Sequence, residues 1–153
     1  MRVSKKYVEE LLNLADPIEA ISRLSDMWSP RISADAKYFG LSDAEYKCQL
    51  CLIFFGEVGN GGLAQYFMNH GIGLVPDTLA ALEETGFVDE REALQSAYYF
   101  LLPSFNRSTS EINEMALHKF SRLDRIIMSE VPDRRLLDYL RVRKDQVLKP
   151  EQQ

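Results

Sequence analysis

Apolar and polar residues along the chain follow a helical rhythm from end to end. Apolar positions recur at i, i+3, i+4 and i+7, the spacing that gathers them on one face of an α-helix. The six prolines (Pro17, Pro30, Pro76, Pro103, Pro132 and Pro150) fall at the edges of these segments, as a missing N–H and a fixed φ require. About eight helices are predicted on this pattern. The first covers residues 5–14. The second opens on Asp16 as N-cap with Pro17 at the first helical position, and carries Ile18, Ile21, Leu24 and Trp28 on one face. Residues 29–41 read as loop, with Pro30 and Gly40 as breakers. The third helix begins at the capping box Ser42-Asp43-Ala44-Glu45 and runs to about Val58. Beyond Gln49 it is apolar on nearly every face, which predicts a buried central helix over residues 42–58.

A fourth, short helix is predicted from Gly62 to His70, stopping at Gly71, and a fifth over Asp77–Thr85, stopping at Gly86. The sixth starts at Asp89 with Glu92 three residues on, and buries Leu94, Ala97, Tyr98 and Leu101. The seventh begins near Ser108, where Glu111 completes a second capping box; Ile112, Ala116, Phe120, Leu123 and Ile127 form its stripe. The eighth follows Pro132 and reaches Leu148. No stretch alternates long enough for a strand, and no repeat or low-complexity segment is present. The expectation is an all-α fold: a single helical domain over residues 1–148, and a tail over residues 149–153.

Size and composition narrow the class. The 153 residues, 46% hydrophobic and 27% charged, suit a globular domain that needs no disulfide or metal staple. The longest apolar run, Leu50 to Phe55, has six residues, far short of the roughly 20 needed to cross a bilayer. The first twelve residues are charged and amphipathic, without the apolar stretch of a signal peptide. Two cysteines, Cys48 and Cys51, fit a reducing compartment. The expected location is cytoplasmic, with no membrane partner.

The formal charge of −5 is unevenly spread. Residues 1–50 net −1, residues 51–100 net −6 and residues 101–153 net +2. No lysine or arginine occurs between Lys47 and Arg91, and all eight glycines lie from Gly40 to Gly86. A net acidic chain argues against direct binding of nucleic acid through a broadly basic surface.

The glycines concentrate in Gly56-Glu57-Val58-Gly59-Asn60-Gly61-Gly62-Leu63-Ala64-Gln65-Tyr66-Phe67-Met68-Asn69. This reads as a helix end, a very short turn and a new helix capped by Asn60. Gly61 and Gly62 remove side chains where backbones must pass closely. Three roles fit it: a tight corner between buried helices; free backbone N–H groups offered to an anion; or a partner contact through Glu57, Gln65, Tyr66 and Asn69. A phosphate site normally adds a nearby lysine or arginine, and this segment has none.

The string Glu57-x-x-Asn60-Gly61-Gly62-x-x-Gln65-Tyr66-Phe67-x-Asn69 resembles the signature of a bacterial helical domain family of unknown function. The following Leu79-Ala80-Ala81-Leu82-Glu83-Glu84-Thr85-Gly86 is similar to that family's next helix, and the resemblance spans residues 40–130. The family includes a DNA-mimic protein whose acidic surface occupies the DNA site of a transcription regulator. The resemblance implies a helical fold and brings no catalytic residues. It makes Asp77, Glu83, Glu84, Asp89, Glu90 and Glu92 the candidate acidic face for a basic partner, with Arg91 interrupting them.

Other constellations carry less. Cys48 and Cys51 form C-x-x-C, but their spacing to His70 and His118 matches no zinc pattern, and both sit inside the apolar helix, so buried thiols are expected. His70 falls at a helix end, where the macrodipole favours its charged form; His118 falls on a polar face. Glu57 with Asn60, Gln65 and Asn69 suits a hydrogen-bonded cluster at a corner. The basic final helix, with Arg134, Arg135, Arg141, Arg143, Lys144 and Lys149 among aspartates, suits a solvated face or a homodimer contact with the acidic middle. No cofactor, metal or catalytic residue is predicted. The expected function is a non-enzymatic protein-interaction module, a DNA-mimic-like acidic protein that binds a basic DNA-binding regulator. The alternatives are a neutralising, immunity-type protein for one toxin or enzyme, and a small-ligand or enzymatic site at the Asn-Gly-Gly turn.

Overall fold

A computed structural model describes residues 3–32, 40–102 and 119–147. The described residues form eight helices and no strand: α1 (Lys5–Leu12), α2 (Pro17–Trp28), α3 (Asp43–His70), α4 (Val75–Thr85), α5 (Val88–Leu101), α6 (Ser121–Met128), α7 (Asp133–Val142) and α8 (Lys144–Val147). The fold is therefore all-α, as the periodicity requires. Among the described residues the third and fourth predicted helices run together as α3, and the last predicted helix divides into α7 and α8. No described helix is long and apolar enough to cross a membrane. The chain's internal contacts group it into two compact units, residues 1–49 with 132–153, and residues 50–131.

The first unit is organised by caps. The Ser4 hydroxyl accepts the Tyr7 N–H at 3.2 Å and starts α1. The Asp16 carboxylate accepts the N–H groups of Ile18 and Glu19 at 2.9 and 3.4 Å, with Pro17 at the first position of α2. The inward stripe of α2 is Ala20, Ile21, Leu24 and Trp28. Ile18, expected on that stripe, is 59% exposed; at the second helical position it precedes the turn from which the stripe begins. The capping box is reciprocal. Ser42 Oγ accepts the Glu45 N–H at 3.2 Å, and Glu45 Oε2 accepts the Ser42 N–H at 2.9 Å. The same carboxylate, 3% exposed, takes a bidentate pair of bonds from Arg31 at 2.7 and 3.0 Å. At the other end of the chain Arg141 donates to the carbonyls of Leu12 and Leu14 at 2.7 and 3.0 Å. The first is one of the acceptors that the end of α1 leaves open, and the second lies just beyond it. The expected solvated basic face thus loses Arg141 to this role, while the Arg143 guanidinium stacks 4.1 Å over the Tyr139 ring.

In the second unit α3 continues from Leu50, and α4, α5 and α6 complete the described part. Residues Leu50, Cys51, Phe54 and Val58 are buried, while Leu52, Ile53 and Phe55 are half-buried; the segment is buried more strongly on one side than its composition suggests. α4 begins two residues before the expected Asp77, with Pro76 in its first turn. It ends as expected at Gly86, at φ 87°, with Phe87 N–H donating to Leu82 O at 2.8 Å and Gly86 N–H to Glu83 O at 3.2 Å. This is the Schellman arrangement that favours glycine. α5 packs on both α4 and α6, burying Ala93, Leu94, Ala97 and Leu101. Tyr98 of the expected stripe is half-buried. Edge-to-face rings tie the unit together, Phe55 to Phe87 at 4.8 Å and Phe100 to Phe120 at 5.9 Å. The second capping box, with Ile112, Ala116 and His118, lies outside the described residues.

Both cysteines are buried. Burial pushes the Cys51 thiol up to about 12, against a smaller downward pull from its contact with the Thr85 hydroxyl at 3.6 Å. A thiol held this far above neutrality has almost no thiolate. The native protein is therefore expected to leave both thiols unreacted with an aromatic disulfide reagent at pH 8, and to release two equivalents on unfolding. Arg31→Met leaves the Glu45 carboxylate buried without its counter-charge. It is expected to lower unfolding stability by about 3 kcal/mol, measured by chemical denaturation.

Candidate functional site

The middle of α3 is not a straight helix. Gly61 and Gly62 carry non-helical dihedrals, −153°/19° and 75°/−177°, and divide α3 into arms over residues 43–60 and 63–70. In a straight helix Phe54 and Tyr66 would lie roughly 18 Å apart along the axis; their ring centroids are 5.3 Å apart. The second arm therefore turns back along the first. The sequence expectation of a tight corner between two helices describes this reversal, and the chain makes it with non-helical dihedrals at two residues.

Three features hold the corner. Asp124 of α6 accepts the Leu63 N–H at 2.8 Å, capping the new arm. Sequence reasoning assigned that cap to Asn60, which is exposed. Gly62 permits the approach: its φ of 75° lies in the left-handed region, and a Cβ there would sit 2.6 Å from the Asp124 carboxylate. The anion considered for these backbone N–H groups is thus supplied by the protein itself. Partial burial raises the Asp124 carboxyl above its usual range, and the bond from Leu63 opposes this.

The third feature is a polar clamp across the corner. Glu57 Oε2 accepts from Gln65 Nε2 at 2.7 Å and from Asn69 Nδ2 at 2.9 Å. Its Oε1 lies 3.0 Å from His70 Nε2. The bond from Gln65 first, then that from His70, holds the Glu57 carboxyl below its usual range, with Asn69 adding to them and partial burial opposing. Three of the roughly four lone-pair directions of a carboxylate are thereby engaged. Of the predicted motif residues, the structure joins Glu57, Gln65 and Asn69 and forms the turn from Gly61 and Gly62. Tyr66 points away from them, buried, with its hydroxyl 2.9 Å from that of Thr78. His70 joins the clamp. Sequence reasoning placed it at a helix end but did not pair it with Glu57, because only the reversal brings residues thirteen apart together.

The acidic candidates divide. Asp77, Glu83 and Glu84 lie on the exposed side of α4, and Asp89 and Glu92 on the exposed side of α5. Glu90 does not join them. It is 7% exposed, since it precedes Ala93 and Leu94 by one turn on the inward side of α5. Arg91 Nε lies 3.5 Å from Glu83 Oε2. On the other side of α5, Asp89 and Glu92 share an open groove with Arg122 of α6, a neighbour with no signal in the local sequence. The unit over residues 50–131 contains eleven acidic and five basic residues, a net of −6, while the other unit nets +1.

A glycine-pinned helical hairpin beside a pair of helices that carry exposed acids defines an all-helical protein. The chain belongs to the family of DMP19-like proteins, whose pattern it matches over residues 39–143. No curated protein and no solved structure matches it.

Gly62→Ala is expected to cost about 2 kcal/mol or more, because it adds strain at positive φ and a clash with Asp124. The measurement is the denaturation midpoint, with Gly59→Ala, where a Cβ meets nothing within 4 Å, as the control. Glu57 titrates with a depressed folded pKa. Its stabilisation is therefore complete above the unfolded value, about 4.3, and is lost as pH falls through the folded value. Glu57→Gln is expected to flatten the loss of stability below about pH 4.5, read from unfolding curves between neutral and acid pH.

Proposed function

We propose that this protein is a non-enzymatic interaction module of the DNA-mimic type, whose exposed carboxylates stand in for phosphates on a basic DNA-binding protein. The observation that carries the reading is the placement of Asp77, Glu83, Glu84, Asp89 and Glu92 on the exposed sides of two consecutive helices, in a chain of the DMP19-like (DNA mimic protein 19) family. Spacing supports it. Asp89 and Glu92 are separated by about 4.5 Å along α5, close to the roughly 3.4 Å of rise between successive phosphates of one DNA strand. Asp77 and Glu84 extend the acidic side over two turns of α4, about 10 Å. The charge of the surrounding unit steers a basic partner toward this side at low ionic strength. Such a partner works in the cytoplasm, which is where the reading places this protein. The clamp at Glu57 serves this function indirectly, by fixing the corner through which α3 leads into α4.

The test is capture by the immobilised full chain. A DNA-binding protein is expected to be retained at low salt and released by about 0.5 M salt or by competing duplex DNA. A variant with Asp77→Asn, Glu83→Gln, Glu84→Gln, Asp89→Asn and Glu92→Gln, checked for an unchanged melting temperature, is expected to lose the capture. Binding that ignores salt, DNA and the five substitutions would overturn the reading.

A further inference from the structure

We propose that the groove between α5 and α6 is a docking site for an arginine side chain of the partner. The inference rests on the reading above that the partner is basic, and it names where one of its side chains seats. The groove has a volume of about 340 Å³, at the lower end of the range for small-molecule pockets, which suits one long side chain rather than a whole helix. Between its charged residues it is lined by Ala93 and Ser96 of α5 with Leu123 and Ile126 of α6, mostly apolar. Asp89 and Glu92 stand on one wall, Arg122 on the other.

The two helices run antiparallel, because Phe100 near the end of α5 meets Phe120 at the start of α6, with centroids 5.9 Å apart. The carboxylates at the start of α5 and the guanidinium at the start of α6 therefore occupy opposite ends of the groove. No ion pair within 4 Å joins Arg122 to Asp89 or Glu92 among the described residues. The groove thus has an acidic end, a basic end and an apolar middle.

An arginine matches this arrangement in three parts. Its aliphatic stem covers Ala93, Leu123 and Ile126. Its planar guanidinium can bond two carboxylates one helical turn apart, which a lysine ammonium does less well. Arg122 repels a second base at the far end, so the groove takes one cation in one direction. Each exposed charge pair is weak alone, and a single side chain is expected to bind with a dissociation constant on the order of 1–10 mM.

The experiment is a titration of the ¹⁵N-labelled full chain with N-acetyl-arginine amide, followed by amide shifts, with N-acetyl-norleucine amide as the uncharged control. Shifts are expected over residues 89–96 and 122–126 with the arginine probe and not with the control. The pair Asp89→Asn with Glu92→Gln is expected to weaken binding about tenfold. Arg122→Gln is expected to tighten it about twofold to fivefold, a gain that a damaged fold would not produce. Glu9→Gln on α1, an exposed acid outside the proposed face, is expected to change nothing. Shifts elsewhere, equal shifts with norleucine, weaker binding by Arg122→Gln, or concentration-dependent broadening of the same residues without probe, which marks a second copy in the groove, would each overturn the assignment. Failure here, with capture still lost in the five-site variant, removes the groove and leaves the mimic reading intact. An intact titration with capture indifferent to charge removes the mimic reading and leaves the groove.

Discussion

The hydrogen bond from the Leu63 N–H to the Asp124 carboxylate is the contact on which the second unit turns. A helix that restarts after a two-residue break exposes N–H groups that water or a side chain must satisfy. Asp124 satisfies the first of them from a different helix, and it can do so only because residue 62 has no Cβ. Once the second arm is seated, Phe54 reaches Tyr66, Tyr66 reaches Thr78 at the start of α4, and Glu57 gathers Gln65, Asn69 and His70. The segment from Glu57 to Asn69 is therefore a corner: its polar residues clamp it and its glycines open it.

That corner has an electrostatic consequence. α4 follows α3 after four residues, and α5 follows α4 after Gly86 and Phe87, so the acid-bearing helices are delivered by the reversal. Their charges are not equivalent. Glu90 faces inward, Glu83 is held near Arg91, and Asp89 with Glu92 confronts Arg122 across a groove. The acidic side is thus divided into an α4 portion and an α5 portion, separated by Arg91. These helices carry an ordered pattern of charges rather than a uniform negative field. Order of this kind gives specificity more than it gives affinity.

Local rules carried a large part of the fold. Ser4, Asp16 and the Ser42–Glu45 box start helices where capping chemistry requires, and Gly86 stops one where a left-handed residue is needed. Elsewhere the structure departs from the local pattern: the period places Ile18 inward, the side chain makes Asn60 a cap and composition groups Glu90 with its acidic neighbours, yet Ile18 and Asn60 are exposed and Glu90 is buried. For Asn60 the deciding neighbour, Asp124, lies far along the chain, whereas Glu90 faces inward by the period of its own helix, one turn before Ala93 and Leu94.

The sequence by itself determined the helical class, the position of the Asn-Gly-Gly turn and the concentration of negative charge in the middle of the chain. Each of these depends on period, cap chemistry or composition, which act over a few residues. The tertiary structure decided that Asp124 caps the returning arm from 61 residues away, that Asp89 and Glu92 share a groove with Arg122, and that Glu57 meets His70. Those choices depend on distances across the folded chain, and a helical period repeating every 3.6 residues carries no information about them.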